Sequence, residues 1–166
     1  MKLFLVQHGE AKPDTEDPGR SLTLKGEDEV RRVAYVAQKM GLAPAKILHS
    51  GKNRSRQTAE IFAKALKQST EAAPGLNPND DIRPWSDRIA RERGDLLLVG
   101  HLPFLEKLAS FLLVGDENAR LVPFRYGAIV CLEPKEDGKW AIRWLLSPEM
   151  ASECFSERSG RAPVHF

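Results

Sequence analysis

The chain has 166 residues, 42% of them apolar and 29% charged, enough to bury one sizeable core, and a single domain over 1–166 is expected. Its formal charge of +2, with basic and acidic residues interspersed, gives no footprint for nucleic acid or for an anionic membrane, so neither is expected as a partner. Cys131 and Cys154 make neither a disulfide framework nor a metal-ligand spacing. They are expected to be free thiols, Cys131 in the core, as suits a reducing cytoplasm. No apolar run approaches the ~20 residues of a membrane span. The four apolar residues before Gln7 are too few for a signal-peptide core, and a cytoplasmic location is expected.

Leu3-Phe4-Leu5-Val6 reads as a strand buried on both faces, stopping abruptly at Gln7-His8-Gly9. A polar loop with Pro13, Pro18 and Gly19 leads to Leu22-Thr23-Leu24-Lys25-Gly26 and a helix over about 26–40. Thr23 is the expected N-cap, Gly41 ends the helix, and Val30, Val33, Ala34 and Ala37 give it one core face. A short strand at Ala45–His49 ends in Ser50-Gly51. The next helix runs from Asn53 to about Lys67, with Ala59, Phe62, Ala63 and Leu66 on one face.

The turn-rich stretch Ser69–Asp81 has room for a very short strand near Ala72-Ala73. A helix near 84–93 follows, with Pro84 in its first turn and a solvated face at Arg88–Arg93. Asp95–Gly100 is a second buried strand, ending in His101-Leu102-Pro103, and the helix over about 104–114 carries an apolar stripe. Asp137-Gly138 between Gly127–Glu133 and Lys139–Leu146 reads as a hairpin turn. Trp140, Ile142 and Trp144 alternate as in a half-buried strand, whereas the tail from Ser147 shows no period and is expected to wrap the surface. Strands alternating with helices until a final hairpin predict a three-layer α/β/α sandwich, mostly parallel, with one antiparallel strand from the hairpin.

In such sheets, ligands bind outside the carboxyl ends of the strands. Three strand ends carry polar groups: Gln7, His8 and Gly9; Ser50 and, one turn into its helix, Arg54; and His101. Arg54 is suited to hold two phosphoryl oxygens, and free N–H groups at a helix start favour an anion. A neutral imidazole is a competent nucleophile toward phosphorus, and a second, protonated one stabilises charge on the equatorial oxygens. No carboxylates cluster with these groups, so neither a metal nor another cofactor is implied. His49 reads as a strand-end packing residue and His165 as solvated.

The pattern resembles the histidine phosphatase superfamily, the phosphoglycerate mutase-like fold, over nearly the whole chain. That family's first signature, Arg-His-Gly, stands here as Gln7-His8-Gly9. Its Ser-x-x-x-Arg-x-x-x-Thr signature is matched by Ser50, Arg54 and Thr58, and its second histidine by His101. Length, Arg54–Thr58 and Gly100-His101-Leu102-Pro103 bring the resemblance nearest to SixA-type phosphohistidine phosphatases.

The resemblance implies a metal-independent phosphatase in which His8 is phosphorylated while Arg54 and His101 bind the phosphate. Gln7, Gly9, Ser50 and Arg20 are the expected substrate contacts. The implied partner is a phosphohistidine-bearing signalling or phosphocarrier protein. A small-molecule phosphomonoesterase and a phosphate-binding module without turnover are the alternatives. Gln7 lacks the charge of the family's arginine, and losing a charge-assisted bond costs about 1–3 kcal/mol unless Arg20 or Arg56 compensates. Phosphomonoesterases need an acid for the departing alkoxide, for which Asp80, Asp81 and Glu10 are the candidates.

Overall fold

The structure, a computed structural model, describes residues 1–156. His165 lies outside the described residues. In chain order the elements are β1 (Leu3–Gln7), α1 (Leu24–Lys39), β2 (Lys46–His49), α2 (Asn53–Leu66), β3 (Glu71–Ala72) and α3 (Arg83–Arg91). They continue with β4 (Leu96–Gly100), α4 (Phe104–Val114), β5 (Ile129–Pro134), β6 (Trp140–Leu146) and α5 (Pro148–Ser156). One six-stranded sheet has the order β3-β2-β4-β1-β5-β6. β1, β2, β3 and β4 pair in parallel, and β5 runs antiparallel to both β1 and β6.

Every residue of β1 and β4 is buried, because each strand has a sheet neighbour on both sides and helices over both faces. Alternation along the strands divides the core in two. Leu3, Leu5, Leu96 and Leu98 pack with Trp85 and Ile89 of α3 and Phe104, Leu105 and Leu108 of α4. Phe4, Val6, Leu97 and Val99 pack with Val30, Val33 and Ala37 of α1 and Ala59, Phe62 and Ala63 of α2. The result is the expected three-layer sandwich.

Thr23 caps α1, its hydroxyl accepting the Gly26 N–H at 2.9 Å. Two glycines let α1 press against the chain leaving β1. A Cβ on Gly9 would lie 2.8 Å from Val30 Cγ2, and one on Gly26 would lie 2.2 Å from the carbonyl oxygen of Glu10. Only hydrogen fits at either place.

The hairpin turns where expected, with Gly138 at φ +78° and its N–H donated to the Lys135 carbonyl. The simple alternation of β6 is not what forms. Cys131 pairs with Trp144 and Leu132 with Ile142, leaving Arg143 as a bulge. The bulge puts Trp140 against the α3/α4 side of the core and Trp144 against the α1/α2 side, and Ile142 is left 44% exposed.

The stretch after Ser147 also differs from expectation, forming α5, which packs on α1 through the buried Ala151 and a bond from Arg32 to Ser152. Its start was legible: Ser147 Oγ accepts the Met150 N–H, Pro148 takes the first turn and Glu149 follows. Cys131 and Cys154 are both free, the first buried and the second exposed. No helix among the described residues is long and apolar enough to cross a membrane.

Candidate active site

β4 lies between β2 and β1, so the carboxyl ends of these three strands are adjacent. They bring His8, Ser50 and His101 together, and α2 adds Arg54 from its first turn. The His8 and His101 ring centroids are 5.0 Å apart. Both imidazoles are buried, at 6% and 2% exposure. α2 and α4 both begin at this edge without a side-chain cap, so the positive ends of two helices face it.

His8 is held in one tautomer. Its Nδ1 lies 2.7 Å from the carbonyl oxygen of Gly9, an acceptor only, so the ring proton sits on Nδ1. Nε2 is then a lone pair, and it accepts from Arg54 Nε at 3.3 Å. Thr58, fully buried one turn after Arg54, donates its hydroxyl to the Arg54 carbonyl and accepts the Gly9 N–H at 3.0 Å. This clip ties α2 to the end of β1 and explains the four-residue spacing of Arg54 and Thr58.

Burial, opposed by the bond to Gly9 and helped by the cations of Arg54 and Arg20, pushes the His8 pKa down to about 4. Burial first, then His8, Arg54, Lys52 and Arg20, lowers that of His101 to about 3. His101 is therefore neutral in the free site, not the protonated partner expected. A phosphoryl dianion adds the opposite charge and raises both values.

The other expected contacts divide. Gly9 spends its N–H on Thr58 and its carbonyl on His8, so it holds the His8 ring in place. The Ser50 hydroxyl lies 2.6 Å from His101 Nε2 and 2.7 Å from Ser55 Oγ, so it is engaged with the imidazole. Gln7 is 7% exposed. Its Oε1 and His101 Nδ1 are the two buried side-chain polar atoms without a partner among the described residues.

Arg20 sits at φ +48° in a loop shaped by the Asp17 carboxylate, which accepts from Gly19 and Ser21, and its Nε donates to the Lys12 carbonyl. Its charge reaches His8, Arg54 and His101. Arg56 instead pairs with Glu60 at 2.7 Å, its charge registering at His49 and not at His8 or His101. His49 accepts the Gly51 N–H, a strand-end role as expected.

None of the three candidate acids is bonded to His8, Arg54 or His101 among the described residues. Asp80 accepts the Asn77 N–H and Asp81 the Arg83 N–H, while Glu10 accepts from Thr23 and pairs with Lys25 at α1. Every charged side chain that shifts the two imidazoles is basic.

Two residues were not singled out from the sequence. Ser55 looks like a solvated polar residue between two arginines, yet it is fully buried. Tyr126, in an aperiodic loop, is 46% exposed and lies with its ring centroid 5.4 Å from that of His8. Gly127, at φ +74°, places it by donating to the carbonyls of both Gln7 and His8. An aromatic residue before a glycine required by a turn is the one sequence signal available.

A neutral imidazole nitrogen with a lone pair, a guanidinium and two uncapped helix starts, with basic side chains beside them, are chemically suited to an anion such as a phosphoryl group, on a three-layer α/β sandwich. The sequence model of the histidine phosphatase superfamily (branch 1) matches residues 3–80. An uncharacterized protein of Picosynechococcus sp. (strain PCC 7002) is 36% identical over 129 residues, 73% of this chain and 78% of that protein. The protein histidine phosphatase SixA complexed with tungstate superposes with a TM-score of 0.78 at 28% identity, over 89% of this chain and 97% of that one. A mutant phosphoserine phosphatase from Entamoeba histolytica, in complex with phosphoserine, shares the fold, with a TM-score of 0.68 at 14% identity over 90% and 98% of the two chains. The chain belongs to the histidine phosphatase superfamily.

Proposed function

We propose that the protein is a phosphohistidine phosphatase that works through a covalent phosphohistidine on His8. His8 Nε2 attacks phosphorus, and the P–N bond to the substrate imidazole breaks with its electron pair going to that ring. A proton on the ring's other nitrogen lets it depart as neutral imidazole. Water then attacks phospho-His8, the P–Nε2 bond breaks, and phosphate leaves with His8 restored. Arg54 and Arg20 offset the oxyanion charge, His101 Nδ1 and Gln7 bind oxygens, and Gly9, Ser50 and Thr58 hold the groups in place.

The observation that carries the substrate class is the engagement of Glu10, Asp80 and Asp81 elsewhere, within a site whose imidazoles are shifted by basic side chains. An alkoxide leaving group needs an acid in place, whereas a phosphorylated imidazole brings its own proton. The likeness to the protein histidine phosphatase SixA supports the same substrate, a phosphohistidine-bearing signalling or phosphocarrier protein.

The test is phosphate release from a phosphohistidine protein and from an aryl phosphate, by wild type and His8→Ala. Turnover of the protein, lost by at least ~10³-fold in His8→Ala, is expected. Labelled phosphate should be trapped under alkaline quench on wild type alone. Turnover of the aryl phosphate alone would replace this reading with a small-molecule phosphomonoesterase. Phosphate binding with no turnover would replace it with a binding module.

A further inference from the structure

His101 is neutral, so its ring carries one proton, and where that proton sits decides what the ring offers to a phosphoryl group. Nε2 lies 2.6 Å from Ser50 Oγ, and Nδ1 is buried and unpartnered. Ser50 Oγ is in turn 2.7 Å from Ser55 Oγ, and it also accepts the Lys52 N–H at 3.4 Å. Ser55 Oγ accepts the Ser50 N–H at 3.1 Å. Two hydroxyl protons and one imidazole proton must be distributed along this chain of atoms.

Ser55 is fully buried, and among the described residues its hydroxyl proton has one acceptor within hydrogen-bond distance, Ser50 Oγ. If Ser55 donates to Ser50, Ser50 donates to His101 Nε2, and the imidazole proton lies on Nδ1. In the opposite direction, Nε2–H donates to Ser50 and Ser50 to Ser55, leaving the Ser55 proton buried with no acceptor. The first arrangement leaves one buried group unpaired, the Nδ1–H, whereas the second leaves two, the Ser55 hydroxyl proton and the Nδ1 lone pair, so the first is favoured.

We propose that Ser55 is a positioning residue that sets the direction of this chain and so fixes His101 as the Nδ1–H tautomer, presenting a donor to the phosphoryl group. The tautomer follows from the hydrogen bonds of a neutral ring; its purpose rests on the functional reading above. A lone pair in place of that donor would repel a phosphoryl oxygen.

The experiment is nitrogen-15 NMR of the histidine side chains at neutral pH, with inorganic phosphate as the binding probe, on wild type, Ser55→Ala and Ser55→Thr. Wild type is expected to show His101 protonated on Nδ1. Ser55→Ala, smaller by one atom, is expected to move His101 toward Nε2–H and to weaken phosphate binding about 3–10-fold. Ser55→Thr, which restores the hydroxyl, is expected to reverse both. Wild-type His101 protonated on Nε2 would overturn the proposal, as would a Ser55→Ala tautomer unchanged from wild type. A tautomer that moves with no change in phosphate affinity would overturn the role assigned to it. Should wild type fail to dephosphorylate phosphohistidine while the tautomer and phosphate affinity respond as expected, the functional reading falls and this inference stands.

Discussion

At the scale of single residues, the site reaches His8 with a guanidinium from the loop after β1 where its relatives' pattern has one at the end of the strand. Gln7 is uncharged and buried, and Arg20 brings the positive charge to both imidazoles. Arg20→Ala should therefore raise the KM for phosphohistidine protein about 10-fold, with kcat reduced less. Arg56→Ala, whose guanidinium pairs with Glu60, should change KM by less than ~2-fold, and steady-state kinetics on the two variants makes the comparison.

Protonation gives a second expectation. His8 and His101 have folded pKa values of about 4 and about 3, below the ordinary 6.5. Groups depressed in this way contribute stability that is present above pH 6.5, because below it the unfolded chain binds protons that the folded one refuses. Denaturant unfolding should show stability falling from pH 6.5 toward pH 4, and the slope should shrink in His8→Ala. His8, Arg54 and His101 were legible because each ends a strand or starts a helix in a recognisable order. Ser55 was not, since a serine flanked by arginines gives no sign that its side chain is buried between the helix and a strand end.

At the scale of elements, His8 is positioned by how closely α1 and α2 approach the end of β1. Thr58→Val removes the acceptor of the buried Gly9 N–H and should cost about 1–3 kcal/mol, read by denaturant titration, with a loss of kcat as His8 loosens. Gly26→Ala drives a methyl into the Glu10 carbonyl, a backbone atom that cannot turn aside. Destabilisation of about 3 kcal/mol is expected by the same titration. The alternation that revealed β1 and β4 misled at β6, because a bulge at Arg143 adds one residue without altering the composition around it. α5 escaped notice for the opposite reason: its cap and first turn were written plainly, but its contact with α1 rests on few apolar residues.

At the scale of the whole molecule, the succession of strands and helices was readable from hydrophobic period and punctuation, and the order of strands in the sheet was not. That order depends on which faces meet after the chain has crossed over, which no local pattern records. It has a consequence for synthesis. β1 and β2 are not neighbours; β4 stands between them and pairs with each, Leu3 and Lys46 both lying opposite Leu96. A nascent chain that has delivered residues 3–80, the stretch that carries His8, Ser50 and Arg54, still lacks the strand that joins their two halves. Until residue 100 has left the ribosome, the apolar run Leu3–Val6 has no parallel partner, and His8 and Arg54 belong to separate fragments of an unfinished sheet.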